Sequence, residues 1–328
     1  MTFLWSVKGL YFGIATSIVA VALYELGHQK WLAIPWQPVA LIGTALAFYL
    51  GFKNNASYDR LWEARKIWGA ILNGSRSFTA AVLGYVSNLH ATEQVSDAEL
   101  LAAKRRLVFR HLAWVTCLRY QLRTPRVWEH TDELVHTLYP EVGTPEYTIK
   151  IEQELQKFLS EAEMAALEGK SNRATQVLAR QSQELQQLRE AGLIDDFRHT
   201  ELQKFISAMY DEQGKSERIK NFPLPRQYAS IPLLLIKLTS VLMPFALLDE
   251  FNKLGPHLVW LTVPFSAMVT WVFVLMEMIG DYSENPFEGT YNDVPISAIS
   301  RTIEIDLKEM LGERDIPPAM QPIQGVLM

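Results

Sequence analysis

The sequence predicts an all-α membrane protein, with four transmembrane helices and a large cytosolic helical region. Three observations carry this prediction. Apolar residues gather at the two ends of the chain, in four stretches of bilayer-crossing character; a span takes about 20 mostly apolar residues. The middle, roughly 53 to 227, is charged and patterned at helical period. No run alternates with a period of two between turn signals, so strands are few or absent.

The elements follow in order. The first span, Gly9 to Tyr24, is short and lies uncharged between Lys8 and Glu25. A cleavable leader, with Lys8 as its basic start and Ala20-Val21-Ala22 as a poor cleavage site, is the alternative. It would leave an odd number of spans. The second span, Trp31 to Phe52, holds no charged residue, and then Lys53, Asp59, Arg60, Glu63, Arg65 and Lys66 follow closely. A helix from about Ala56 to Asn88 is expected there, with Leu61, Ala64, Ile67 or Trp68, and Ile71 on one side. Ser96 to Glu99 reads SDAE, a capping box that opens a helix ending near Pro125. Helical segments 146–168, 172–191 and 196–218 continue the pattern, broken by TPEY and AGLIDD.

The third span, Tyr228 to Leu248, contains Lys237, which must snorkel or face protein, and Pro244, which should kink it. The fourth, Leu254 to Met276, has only His257 as an ionisable group. A turn-rich stretch follows. Ile296, Ile299, Ile303, Leu307 and Met310 or Leu311 then mark a last amphipathic helix before an irregular tail. The expected regions are spans one and two in 1–52, a cytosolic domain in 53–227, spans three and four in 228–279, and a cytosolic C-terminal segment in 280–328. Basic residues cluster after the second span and before the third, while each short hairpin carries one lysine. The positive-inside rule places the central region and both termini in the cytoplasm of a multi-pass inner (plasma) membrane protein.

Composition narrows the function. The formal net charge of −5 gives no reason to expect nucleic-acid binding. Cys117 is the only cysteine, which excludes an intramolecular disulfide and a cysteine-based metal site; it reads as a small buried hydrophobe. EGKS at 168–171 and QGKS at 213–216 resemble the end of a phosphate loop, but Met164 and Met209 stand where its first glycine belongs. The seven histidines form no metal-binding pair on one helix face, and no nucleophile elbow is present. Asp195-Asp196 reads as a helix start. Nothing asks for an enzyme.

The remaining candidate site is the second span. Thr44, Phe48 and Phe52 are four apart and share one face over roughly 12 Å. Gly43, Ala45, Ala47 and Gly51 occupy other faces and permit close helix approach. Such a stripe could line an axis as a hydrophobic constriction that gates by dewetting. On pattern alone, a phenylalanine stripe more often meets lipid or core.

Several separated stretches resemble the bestrophin family in its bacterial form. FYLGFKNNASYDRLWEARKIWG (48–69) resembles the pore helix and its cytosolic continuation, with Arg60 and Trp62 matching a recurrent Arg-x-Trp. ERIKNFPLPRQY (217–228), LMPFALLDEF (242–251) and DYSENPFEGTYNDVPI (281–296) resemble the segments into the third span, at its end and after the fourth. Region 125–190 matches least. The resemblance implies a homopentameric ion channel that passes small monovalent ions and has itself and membrane lipids as partners. It implies a neck of Thr44, Phe48 and Phe52, with Thr44 smaller and more polar than the aliphatic residue usual there. It implies a second, cytosolic constriction at Phe197, with Ile194 as rival. Asn285, Pro286 and Phe287 match the motif after which animal relatives bind calcium, and Asp293 remains from the acidic run. Glu288 to Asn292 interrupt that run, so a structural turn with no cofactor is expected, calcium taking six to eight oxygen ligands. The neck is uncharged. Asp249 and Glu250 on the outer hairpin, with the net charge, lean towards cations. Two other classes compete: a membrane-anchored cytosolic scaffold or enzyme without ion flux, and a secondary transporter, for which four spans without an inverted repeat are few.

Overall fold

A computed structural model describes residues 2–91, 93–130 and 144–328 of the chain. Among the described residues, eight long helices carry the fold: α1 (Thr2–Leu23), α2 (Trp36–Tyr85), α3 (Asp97–Arg123), α4 (Arg173–Glu190), α5 (Asp196–Asn221), α6 (Arg226–Leu254), α7 (Thr262–Asp281) and α8 (Ile296–Leu311). No strand occurs among the described residues, apart from an isolated bridge between Ile323 and Val326.

Two expectations change. The helix expected from about Ala56 does not begin there: residues 36 to 85 form one continuous helix of 50 residues. Proline occurs only in its first turn, at Pro38, where the missing N–H costs nothing. The lysines, arginines and glutamate after Phe52 are good helix formers, so hydropathy changes without a break in the backbone. The segment expected as one helix over 146–168 is instead three short helices: Pro145–Thr148, Ile151–Leu155 and Glu161–Ala165. Ser160 is an extended N-cap in a capping box with Glu163, and that box restarts the chain within the run. The box at Ser96 and Glu99 forms as expected, and its helix ends at Arg123.

Among the described residues, three helical stretches are long and apolar enough to cross a membrane: Ser6–Gly27, the apolar part of the run Asp196–Leu254, and Pro256–Asp281. The second predicted span lies in α2 and falls outside this set; Gln37, Thr44, Tyr49 and its glycines dilute its hydropathy.

The chain divides into two compact units, residues 1–61 with 223–284 and residues 62–222 with 285–328. In the first, α1 packs along α7. Gly9 and Gly13, four apart, permit the approach: a Cβ on Gly13 would lie 2.9 Å from the Ala267 Cα. Ala20, Val21, Tyr24, Leu248 and Val259 form a core at the other end of α1. α6 continues as helix through Pro232 and Pro244, and Lys237 is exposed on it.

In the second unit α3 is buried on every side from Leu107 to Leu118. Several polar groups are paired inside. The Trp114 indole N–H donates to Gln213 Oε1 at 2.9 Å, and Gln181 donates to the Leu107 carbonyl at 2.7 Å. His111 lies 2.8 Å from Ser75 Oγ, and burial pushes the imidazole down to about 3, so it is neutral at physiological pH. Burial likewise pushes the Cys117 thiol up to about 12, which makes it inert. Gly169 of EGKS sits in a turn at φ 68°, and QGKS lies inside α5, so neither is a strand-to-helix phosphate loop.

Two glycines separate packing from propensity. Gly13→Val should destabilise the membrane unit by about 1–3 kcal/mol, because backbone occupies the needed space. Gly214→Ala, exposed in α5 with open space around it, should stabilise by about 0.5–1 kcal/mol. Thermal unfolding of the detergent-solubilised variants checks both directions.

Candidate functional site

The buried side of α2 recurs at threes and fours: Val39, Gly43, Leu46, Leu50, Lys53, Ser57, then Ala64, Ile67 or Trp68, Ile71, Ser75, Phe78 and Val82. This near-3.5 period keeps one seam facing the protein along the helix. Leu46 and Leu50 pack with Ile236 of α6, beside Leu235, Phe273, Val274 and Met276.

The opposite face carries the predicted neck. Thr44 is exposed, and Phe48 and Phe52 are 67% and 70% exposed. At 100° per residue the centre of this stripe lies about 170° around the helix from Leu46, Leu50, Lys53 and Ser57. The structure therefore brings Thr44, Phe48 and Phe52 together on one outward face. The Thr44 hydroxyl donates to the Ala40 carbonyl at 2.9 Å, which satisfies it within its own helix.

One residue beyond Phe52, the seam becomes ionic. Lys53 is fully buried, and its Nζ lies 2.8 Å from Glu277 Oε1 and 3.2 Å from Asp281 Oδ1 on α7. Gly280 makes room, since any side chain there would collide with Asn54 Oδ1. Two turns on, Arg60 Nε donates to the Glu284 carbonyl at 2.9 Å.

The stretch after α7 folds into a buried turn. Val294 N donates to the Pro286 carbonyl at 3.1 Å, Asn285 donates to Glu288 at 3.3 Å, and Phe287 is 1% exposed. Gly289, at φ 96°, lets the chain pass the Tyr147 ring, whose hydroxyl donates to the Glu288 carbonyl. Asp293 accepts from Arg123 Nη1 at 2.6 Å, from Gly289 N at 2.6 Å and from Thr290 Oγ1 at 2.8 Å. Its carboxylate is thus already engaged by a guanidinium. Burial pushes the Asp293 carboxyl up, and Arg123 opposes that shift. Burial also pushes Glu288 up, to about 7, although His130 faces it at 3.1 Å.

The family model for bacterial and fungal bestrophin proteins matches residues 6–309. This chain belongs to the bestrophin family. Among solved structures, a bacterial bestrophin homologue from Klebsiella pneumoniae superposes with a TM-score of 0.77 at 25% identity, covering 94% of this chain and 99% of that one. A voltage-dependent anion channel-forming protein of Salmonella typhi is 27% identical, over 87% of this chain and 80% of its own. Another protein of that description, from Mesorhizobium japonicum, is 28% identical over 88% and 78%.

In this bestrophin the two residues predicted for a cytosolic constriction face differently. Ile194 is 1% exposed and belongs to the core of its unit, whereas Phe197 is 86% exposed in the first turn of α5. The preceding turn is fixed by Gly192, at φ 70° against the His90 carbonyl, and by Asp195, which caps the Arg198 N–H. Asn285, Pro286 and Phe287 are all buried, and the buried Asp293 pairs with Arg123.

Sequence reasoning missed the partners of Lys53 and Asp293. Lys53 stands at a seam position, which was a readable signal. Glu277 lies 224 residues away, and nothing local names it.

The state of Glu288 gives a pH test. Between pH 4.5 and about 7 the folded chain holds a proton on Glu288 that the unfolded chain has released. Raising the pH across this window therefore draws the equilibrium towards unfolding, by at most about 1.4 kcal/mol per pH unit. His111, whose imidazole burial holds down at about 3, contributes an opposite slope to parent and variant alike, so the expected outcome is a difference: from pH 4.5 to about 7 the parent should lose stability relative to Glu288→Gln, as measured by denaturant unfolding at each pH.

Proposed function

We propose that this bestrophin is the subunit of a homopentameric ion channel, with the Thr44–Phe48–Phe52 face of α2 lining a hydrophobic neck. One observation carries the reading: two phenylalanines stay outward on the face opposite a seam that holds α2 to the rest of its unit. Five such faces around an axis form stacked apolar rings that pass ions only when wetted. A helix that lines a pore is not required to match lipid on every side. Its modest hydropathy therefore agrees with four spans, α2 supplying the second.

Phe197 is the residue proposed for a second constriction, being exposed at a helix start where Ile194 is buried. The turn of Asn285, Pro286, Phe287 and Asp293 acts structurally, with the Arg123 guanidinium as the cation that balances Asp293. Permeant ions are small and monovalent. The neck has no charge with which to choose their sign, and the description of the relatives as anion channel-forming favours anions. The protein is multi-pass in the inner membrane, with both termini cytoplasmic.

Purified protein in planar bilayers should conduct, and Phe48→Ala or Phe52→Ala should raise the current several-fold by easing wetting. Parent and variant currents that coincide would remove the neck. Reversal potentials across a potassium chloride gradient assign the sign, and subunit counting in detergent should return five copies.

A further inference from the structure

We infer that the Lys53–Glu277–Asp281 cluster, in which Lys53 and Glu277 are buried and Asp281 is partly exposed, is the positioning element of the neck, pinning the rotation of α2 about its own axis. This rests on the neck reading above and assigns a role to residues outside the stripe. Apolar seam positions such as Leu46 and Leu50 fix that rotation only loosely, because one aliphatic side chain substitutes for another. A charged group at a seam position tolerates one arrangement, as a polar residue in a coiled-coil core specifies register at some cost in stability. Lys53 is that group here. Its ammonium is fully buried and reaches two carboxylates one turn apart on α7, at 2.8 and 3.2 Å.

A rotation of α2 large enough to carry Lys53 off the seam would part it from Glu277 and leave the buried Glu277 carboxylate without this cation. Lys53 adjoins Phe52 in sequence, so the constraint acts where the neck ends. Gly280 belongs to the same device, since it lets Asn54 and the Lys53 stem lie against α7. Arg60, bound to the Glu284 carbonyl at 2.9 Å, holds the next stretch in the same sense.

The test is thiol accessibility in liposomes. Cys117 is buried, so the chain supplies a silent background. Phe48→Cys and Leu50→Cys are made separately in the parent and in Lys53→Met/Glu277→Met, which removes both buried charges at similar volume. Each is treated with a charged thiosulfonate and with a membrane-soluble maleimide. In the parent background, the thiol of Phe48→Cys should react with the charged reagent and that of Leu50→Cys with neither. In the double-methionine background this contrast should be lost, with an unchanged oligomer on gel filtration, and Lys53→Arg should retain it. A contrast that survives in a double variant of native size overturns the inference. If Phe48→Cys in the parent background is protected from the charged reagent alone, the neck reading is removed, and the maleimide contrast still decides the rotation. If the methionine pair does not fold, Lys53→Gln/Glu277→Gln is read the same way.

Discussion

The interaction on which the rest depends is the packing seam of α2. A single helix of 50 residues carries an apolar stretch, a charged stretch and the whole candidate neck. Every side chain on it is placed by one variable, its rotation, and that is set by residues recurring at threes and fours on the opposite side. The outward direction of Phe48 and Phe52 is thus a consequence of what Leu46, Leu50 and Lys53 bury. Burying a lysine costs more than burying a leucine, so its place in the seam weighs towards specificity over raw stability.

The same balance recurs after α7. Arg119, Arg123, Glu146 and Asp293 are nearly or fully buried, and their charges meet one another at 2.6 to 4.0 Å. Glu146 meets both arginines and Arg123 meets both carboxylates, so removing one member leaves the charges of this dry cluster unbalanced. The buried turn is therefore held by mutual dependence among segments distant in sequence, with Arg123 and Asp293 separated by 170 residues.

The parts of the fold legible in the sequence were the local ones. Ser96 and Glu99 announced their helix because a capping box is written within four residues. The stripe of Thr44, Phe48 and Phe52 followed from helical spacing, as did the face of α8. The same box at Ser160 and Glu163 is equally readable, but the apolar pattern of 146–168 outweighs it. The continuity of α2 through Phe52 was hidden by a change in composition that the backbone ignores. Which of Ile194 and Phe197 is outward depends on the turn at Gly192, whose φ the sequence does not state. The partners of Lys53 and Asp293 were out of reach, because a seam shows that a residue is inside without showing what it meets.

The uninterrupted course of α2 bears on how such a gene can change length. One residue inserted between Lys53 and Ala64 would turn everything beyond it by about 100°, moving Ala64, Trp68 and Ile71 out of the seam. Seven inserted residues would nearly restore the original facing, because seven is close to two turns. Descent with viable insertions should therefore leave this helix with lengths that differ by nearly whole numbers of turns, such as seven or eleven residues, while the loops around it drift freely.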